Sequence, residues 1–127
     1  MNISGIDHIV VTASDLEKTL HFYVDILGMT PHVAANGQHT ARFGNQQINF
    51  HNGPAEFTPA AKNPAYGSTD ICFVSTGDLE ATKKELEEKG VEIELGIVKR
   101  NGAKGDINSI YMRDPDGNLV EICVYPE

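Results

Sequence analysis

An internal repeat is the feature of this sequence that most constrains its fold. His8 aligns with Asp70, and Gly28 aligns with Gly90, each 62 positions further along the chain. Both halves show an alternating strand, an amphipathic helix that ends at a glycine, and then three more strands. A repeat of this length decides the architecture before any short motif does. We therefore predict an α+β fold in which two βαβββ repeats form a shared, curved mixed sheet around a concave metal site.

The 127 residues fit a single domain in three stretches. Repeat one spans about 1–52, repeat two about 69–127, and the stretch between them, about 53–68, is rich in Pro, Ala, Gly and Asn and lacks periodicity. Ser14 or Asp15 is expected to cap the first helix and Asp78 the second. The predicted helices lie at about 16–27 and 79–89. The strands that follow them are expected at about 29–35, 38–44, 47–51, 91–97, 107–113 and 119–125, with a polar loop at 101–105.

Charge and hydropathy exclude several classes of partner. The formal net charge is −8, which argues against nucleic acid and against an anionic membrane surface, because both require neutralising Lys and Arg. The apolar stretches are too short to span a membrane, and the N-terminal pattern reads directly into a strand. Two cysteines provide no disulfide framework. A cytoplasmic protein with a small-molecule substrate is expected.

Strand parity assigns side chains to the two faces of the predicted sheet. Ile9 and Val11 are expected to pack on a helix, so His8 belongs to the opposite, concave face. A polar sheet face that is enclosed is typical of a binding site, because buried polar groups need partners. Imidazole and carboxylate ligands suit a divalent first-row metal. The polar residues that parity places on the concave face are His8, Asn49, His51, Asp70, Tyr111, Arg113 and Glu121.

Two segments carry a recognisable pattern, DHIVVTASDLEKTLHFYVDILGM near the start and YMRDPDGNLVEICVY near the end. With them, nearly the whole chain resembles the vicinal oxygen chelate superfamily, which includes glyoxalase I, bleomycin-resistance proteins, fosfomycin-resistance enzymes and extradiol dioxygenases. The resemblance implies a divalent metal ion (Ni, Zn, Mn, Fe or Co) at the centre of the concave face. His8 matches the ligand of the first strand and Glu121 the ligand of the last.

Two positions depart from the glyoxalase I pattern. Asp70 stands where a histidine is usual, and Asn49 stands where a glutamate is common. The expected ligand set is His8, His51 and Glu121, and the third ligand stays open between His51, Asp70 and Asn49. His51 lies two residues beyond Asn49, a shift of about 7 Å, so it reaches the site only if the strand register moves.

The resemblance implies a glyoxalase-like, metal-dependent enzyme with lactoylglutathione-lyase-type chemistry. Glu121 would act as the general base, and Tyr111, Arg113, Asp70 and Asn49 would contact the substrate. Arg113 has an alternative role, because it adjoins the DPDG turn and can hold it. Alternative functions are an extradiol ring-cleaving dioxygenase and a non-catalytic binding protein of the bleomycin-resistance type. Members of the family commonly dimerise, so we expect a homodimer.

Overall fold

The computed structural model describes residues 1–126, which divide into two compact units. The first unit is Met1–Gly67, and the second begins at Ser68, where the predicted linker ends. Each unit contains one βαβββ repeat, which confirms the α+β class and the internal repeat. We expected one shared sheet, but hydrogen bonds join the strands into two four-stranded mixed sheets. The reason is that the last strand of each repeat pairs with the first strand of the same repeat.

The first unit has the strand order β1-β4-β3-β2. Strand β1 runs parallel to β4, and the other neighbours are antiparallel. Its core contains Val11, Ile48 and Phe50, each at most 1% exposed. The ring of Tyr23 packs 5.5 Å from that of Phe50 and attaches the helix to the sheet. The strands are β1 His8–Ala13, β2 Thr30–Val33, β3 His39–Phe43 and β4 Gln46–Asn52.

The first helix, α1, spans Leu16–Leu20 and continues as a wider π-helical segment over His21–Ile26. Asp15 is the N-cap, because its carboxylate accepts a hydrogen bond from the backbone N–H of Lys18 at 3.2 Å. Gly28 follows the helix with a φ of +82°, as its predicted role as a terminating glycine requires. One helix was expected over about 16–27, and one continuous helical stretch is found.

The second unit repeats this plan with the strand order β5-β8-β7-β6. Asp78 caps its helix by accepting a hydrogen bond from the backbone N–H of Glu80 at 3.1 Å. None of the helices within residues 1–126 is long and apolar enough to cross a membrane. The elements are β5 Asp70–Val74, α2 Leu79–Glu88, β6 Leu95–Gly102, β7 Gly105–Arg113 and β8 Leu119–Val124.

Strand β6 is displaced from its predicted position of about 91–97. Val91 follows the end of α2 and is not in a strand; its backbone N–H donates to the carbonyl of Leu86 at 2.9 Å. Asn101 and Gly102, which were predicted to lie in a polar loop at 101–105, belong to β6 and pair with β7 in a hairpin that turns between Gly102 and Gly105. Charged side chains are compatible with a strand whose outer face meets solvent, which is why polarity was misleading here.

Strand parity is confirmed in the second unit. Ile110, Met112 and Val120 are fully buried, whereas Tyr111 and Glu121, their neighbours in sequence, are only half-buried. The sheet therefore has one apolar face against α2 and one polar face, as the alternation predicted.

Gly96 provides a test of how closely β6 and β7 approach. Its φ is +122°, and an added Cβ would lie 2.6 Å from the carbonyl oxygen of Ser109. We expect Gly96→Ala to lower the free energy of unfolding by about 3 kcal/mol, through backbone strain plus overpacking. Gly105 is the matched control, because its φ is +125° and nothing lies within 4 Å of an added Cβ. Gly105→Ala should cost about 1 kcal/mol, from strain alone. Equal losses in urea unfolding would contradict the close approach.

Candidate metal site

Glu121 lies on the polar face of the second sheet, at the middle of β8. It is directly opposite Cys72 of β5 and Tyr111 of β7. Its carboxylate oxygen Oε2 accepts a hydrogen bond of 2.6 Å from the hydroxyl of Ser109. No Lys or Arg among residues 1–126 forms an ion pair with it. A half-buried carboxylate without a cationic partner is a strong candidate ligand for a metal ion.

Arg113, which parity places on the same face as Glu121, forms its hydrogen bonds with other residues. Its Nε and Nη2 atoms donate to the two carboxylate oxygens of Glu94 at 3.0 and 3.1 Å. Its Nη1 atom donates to the carbonyl of Gly117 at 3.2 Å, within the turn that precedes β8. The hydrogen bonds from Arg113 hold the pKa of Glu94 below its ordinary value. These contacts favour the structural role that the sequence left open for Arg113.

The turn from Asp114 to Asn118 fixes where β8 begins. Asn118 is 1% exposed, and its side-chain amide donates to Asp114 at 2.7 Å. Its side-chain oxygen accepts a hydrogen bond of 2.8 Å from the backbone N–H of Thr69, just before β5. The DPDGN motif therefore ties the start of β5 to the start of β8, and this sets the register that places Cys72 opposite Glu121.

Tyr111 is held by a residue from the neighbouring strand. The Nε atom of Arg100 donates to the Tyr111 hydroxyl at 3.1 Å, and its guanidinium carbon lies 5.5 Å from the ring centre. Partial burial raises the pKa of Tyr111; the hydrogen bond from Arg100 opposes this rise, and the negative charge of Glu121 adds to it. The phenol therefore keeps its proton at neutral pH and is a hydrogen-bond donor beside Glu121.

Cys72 completes the surroundings of Glu121 from the β5 side. Cys72 is exposed, but partial burial of its thiol raises the pKa, and the adjacent Cys123 and Glu121 raise it further. The thiolate is the nucleophilic form of cysteine, so Cys72 is not an activated nucleophile at neutral pH. The groups on this face that can act as an acid, a base or a ligand are therefore the carboxylate of Glu121 and the hydroxyls of Ser109 and Tyr111.

His8 lies in the first unit, at the start of β1, opposite Gln47. Its Nδ1 atom is 2.8 Å from a carboxylate oxygen of Asp7, and its side chain is 45% exposed. A carboxylate on one ring nitrogen orients the imidazole and makes the other nitrogen a better ligand. The Nε2 atom of His8 is therefore the one suited to a metal ion.

His51 lies on the same sheet but at its other end. It is 5% exposed, and its ring contacts that of Phe57, with the centres 5.5 Å apart. The register pairs it with Thr12, four residues beyond His8, which is a separation of about 13 Å along the strands. Two ligands of one ion lie within about 4 Å of each other, since each binds at about 2 Å. The structure does not bring His51 and His8 together.

Asn49 and Asp70 occupy the remaining positions that the sequence singled out. The side-chain oxygen of Asn49 accepts a hydrogen bond of 2.7 Å from Gln47, which in turn accepts one of 3.2 Å from Arg42. Asp70 is exposed at the start of β5. The hydrogen bond with Glu94 raises the pKa of Arg113, and the charge of Asp70 adds to that rise. Asp70 lies two residues, or about 7 Å, from the level of Glu121.

The donor chemistry of two residues fits a metal ion, but a complete cluster is not formed. Across residues 1–126, no group of three or more His, Cys, Asp or Glu side chains is arranged to hold a metal. His8 offers an oriented imidazole nitrogen and Glu121 an uncompensated carboxylate, which are ligand types that first-row divalent metals accept.

Sequence reasoning missed the residues that support the two candidate ligands. Ser109 lies two residues before Tyr111 and so shares its face of β7, but nothing in the sequence shows that its hydroxyl reaches Glu121. Asp7 precedes His8 directly, and an acidic neighbour of a ligand histidine is a signal that could have been used. The sequence did not show that Gln47 lies opposite His8, because the register of β4 against β1 cannot be read from it.

The raised pKa of Tyr111 predicts how the second unit responds to alkali. Its pKa lies above 10, so the stability linked to this phenol is complete below pH 10 and is lost as the pH rises through the raised value. The phenolate absorbance that Tyr111→Phe removes should therefore titrate with a midpoint above pH 10. Tyr66→Phe, at a tyrosine that is 49% exposed, should leave this component in place. A midpoint at or below 10 for the lost component would contradict the prediction.

Comparison with known proteins agrees with the fold. The family model of the Glyoxalase/Bleomycin resistance protein/Dioxygenase superfamily matches residues 5–122. The virulence protein STM3117 of Salmonella typhimurium is 42% identical over 98% of this chain and 87% of its own length. The crystal structure of that protein aligns with a TM-score of 0.96 over 99% of this chain and 100% of the other.

Two further relatives extend this comparison. The glyoxalase domain-containing protein RDO1 of Mycosarcoma maydis is 42% identical over 100% of this chain and 72% of its own length. An integron cassette protein from the mobile metagenome of Vibrio cholerae is 44% identical and has a TM-score of 0.95, over 99% of this chain and 98% of the other. Since the family model covers nearly the whole chain, the chain belongs to the Glyoxalase/Bleomycin resistance protein/Dioxygenase superfamily.

Proposed function

We propose that this chain is a divalent-metal-dependent, glyoxalase-like enzyme that acts on a small substrate with two neighbouring oxygen atoms. His8 and Glu121 are the proposed ligands. The observation that carries the proposal is Glu121, a half-buried carboxylate that has a hydroxyl donor but no cationic partner among residues 1–126. Such a group is costly unless a cation compensates its charge.

The proposed chemistry is a lactoylglutathione-lyase-type proton transfer. A bound divalent metal would polarise a substrate carbonyl and stabilise negative charge on its oxygen. Glu121 would take the proton from the adjacent carbon with a carboxylate oxygen and return it at the neighbouring carbon. Tyr111 keeps its own proton at neutral pH, so its hydroxyl would donate to a substrate oxygen. Arg100 fixes that hydroxyl and carries a positive charge that suits an anionic substrate group.

One alternative within the family is supported by a specific observation. Because residues 1–126 contain no group of three candidate ligands, a protein that binds a small molecule without chemistry is the second candidate. Asn49, an amide at a position where glutamate is common, agrees with that role. The extradiol dioxygenase version is not proposed, because its two histidine ligands, His8 and His51, lie about 13 Å apart along the strands.

We also propose that the chain forms a homodimer. Each sheet has two edge strands, and among them β1 and β5 expose Val10 at 45% and Val74 at 67%. Exposed edges of this kind favour association. Light scattering should give twice the chain mass of 13.8 kDa, and a mass of one chain at micromolar concentration would contradict the expectation.

Substitution of the two proposed ligands tests the function directly. His8→Ala and Glu121→Gln should each lower the affinity for Ni²⁺, Zn²⁺, Mn²⁺, Fe²⁺ or Co²⁺ by at least about 100-fold, because each removes a ligand. Both variants should also lose isomerisation of the methylglyoxal–glutathione hemithioacetal. Metal content after loading and dialysis is measured by mass spectrometry, and activity is measured on the loaded protein.

Two exposed residues of the same types serve as matched controls. His32→Ala and Glu88→Gln should retain both metal and activity, because these side chains lie on exposed positions away from the site. Metal affinity that is equal in the site variants and the controls would overturn the proposal. A chain that binds no metal, yet binds a small ligand equally well with His8→Ala, would instead support the second candidate.

A further inference from the structure

Two buried polar side chains face each other at the end of the first sheet that is remote from His8. Thr12 of β1 is 8% exposed and His51 of β4 is 5% exposed, and the register places them directly opposite each other. Neither side chain forms a hydrogen bond within residues 1–126. In that part of the chain only Oγ1 of Thr19 is both sealed from solvent and unpaired, so the polar atoms of Thr12 and His51 are accessible to a partner.

A chain of hydrogen bonds determines what Asn49 offers on the same face of the sheet. Nε of Arg42 donates to the side-chain oxygen of Gln47 at 3.2 Å, and the amide nitrogen of Gln47 donates to the oxygen of Asn49 at 2.7 Å. A guanidinium group only donates, so Gln47 turns its oxygen to Arg42 and its nitrogen to Asn49. The oxygen of Asn49 is thereby occupied, and its NH₂ group is the part left for a ligand.

The spacing of these three side chains suits one small oxyanion. Asn49 and His51 are two residues apart on β4, so they point to one face about 7 Å from each other, and Thr12 lies on the neighbouring strand about 4.8 Å from His51. A carboxylate that accepts a hydrogen bond of about 2.9 Å at each oxygen bridges donors with about this separation. The NH₂ of Asn49, the hydroxyl of Thr12 and an N–H of the His51 ring can all donate.

The groups around these donors suit an apolar body attached to the carboxylate. The ring of Phe57 contacts that of His51, with the centres 5.5 Å apart. Val10 is directly opposite Asn49 on β1 and is 45% exposed. Small-molecule sites typically combine apolar surfaces with a few placed polar groups, and this end of the sheet offers both.

The nearby charges also favour an anion. Arg42 donates to Gln47, and no carboxylate among residues 1–126 forms an ion pair with it. Glu56, in the segment that follows β4, has one carboxylate oxygen bound to the backbone N–H of Asn52 at 2.7 Å. The positive charge at one end of the hydrogen-bond chain is therefore uncompensated, whereas the neighbouring negative charge already has a donor.

We propose that Thr12, Asn49 and His51 form a binding site for the carboxylate of a small organic acid, whose apolar part packs on Val10 and Phe57. The inference goes beyond the proposed function and does not rest on it, because no metal ion and no residue of the second unit takes part. The competing explanation is that water alone satisfies these buried groups. Under that explanation a carboxylate has no preferred position on this face.

The experiment titrates benzoate, and separately its neutral analogue benzamide, into the metal-free full chain labelled with ¹⁵N. Benzoate should bind with a Kd of about 1–10 mM, as expected for a fragment of this size, and benzamide at least about 10-fold more weakly. The nuclear magnetic resonance signals that shift with benzoate should include the side-chain NH₂ of Asn49 and the ring nitrogens of His51.

Two substitutions test the donors, and each has a matched control in the same unit. Thr12→Val removes the hydroxyl but keeps the shape, so benzoate should bind about 10-fold more weakly. Asn49→Asp places a negative charge beside the carboxylate and should weaken benzoate by at least about 10-fold. Thr30→Val and Asn45→Asp, at exposed positions, should leave the affinity unchanged. The amide spectrum of each variant verifies that it is folded.

The outcomes separate this inference from the proposed function. Equal affinities for benzoate and benzamide, or shifts that spare Asn49 and His51, would overturn the carboxylate site. Equal losses in Thr12→Val and Thr30→Val would overturn it as well, as would the absence of saturable shifts. A chain that binds benzoate at these residues but no divalent metal would support the carboxylate site and contradict the proposed function.

Discussion

The parallel pairing of β5 with β8 is the constraint on which the site of the second unit depends. It places Cys72 opposite Glu121, and the antiparallel pairing of β8 with β7 places Tyr111 on the other side. Because Asn118 bonds both Asp114 and the backbone of Thr69, the register of this pairing is fixed at the point where β8 begins. A slip by one residue would turn Glu121 to the apolar face, where a carboxylate has no compensating partner.

The electrostatics of the polar face of the second sheet depend on which residues already bind its two arginines, Arg100 and Arg113. Arg113 donates hydrogen bonds to Glu94 and to the carbonyl of Gly117 in the turn, and Arg100 donates one to the hydroxyl of Tyr111. Glu121 is left with a hydroxyl donor and two neutral neighbours whose protons are held more tightly than usual. An excess of negative charge in a half-buried position is what a divalent cation relieves. In the first unit, the hydrogen bond between Asp7 and His8 prepares the second proposed ligand.

The sequence was sufficient for the features that depend on periodicity and on capping. The repeat, both helices, the cap at Asp78 and the faces of β7 and β8 follow from hydrophobic alternation and from local hydrogen bonding. For the first helix the sequence left Ser14 and Asp15 open, and the cap is Asp15. The strand register and the directions of individual side chains could not be predicted from the sequence, because they arise from contacts between distant segments. His51 shares a face with His8, yet it pairs with Thr12 and so lies at the far end of the sheet. Ser109 reaches Glu121 through a diagonal contact that no spacing reveals.

The central proposal is that Glu121 is a ligand of a divalent metal ion. Anomalous X-ray diffraction at the zinc edge, from crystals of the Zn²⁺-loaded protein, tests it most directly. We predict a strong peak at about 2.0–2.2 Å from a carboxylate oxygen of Glu121. A map in which no peak is bonded to Glu121 would contradict the proposal.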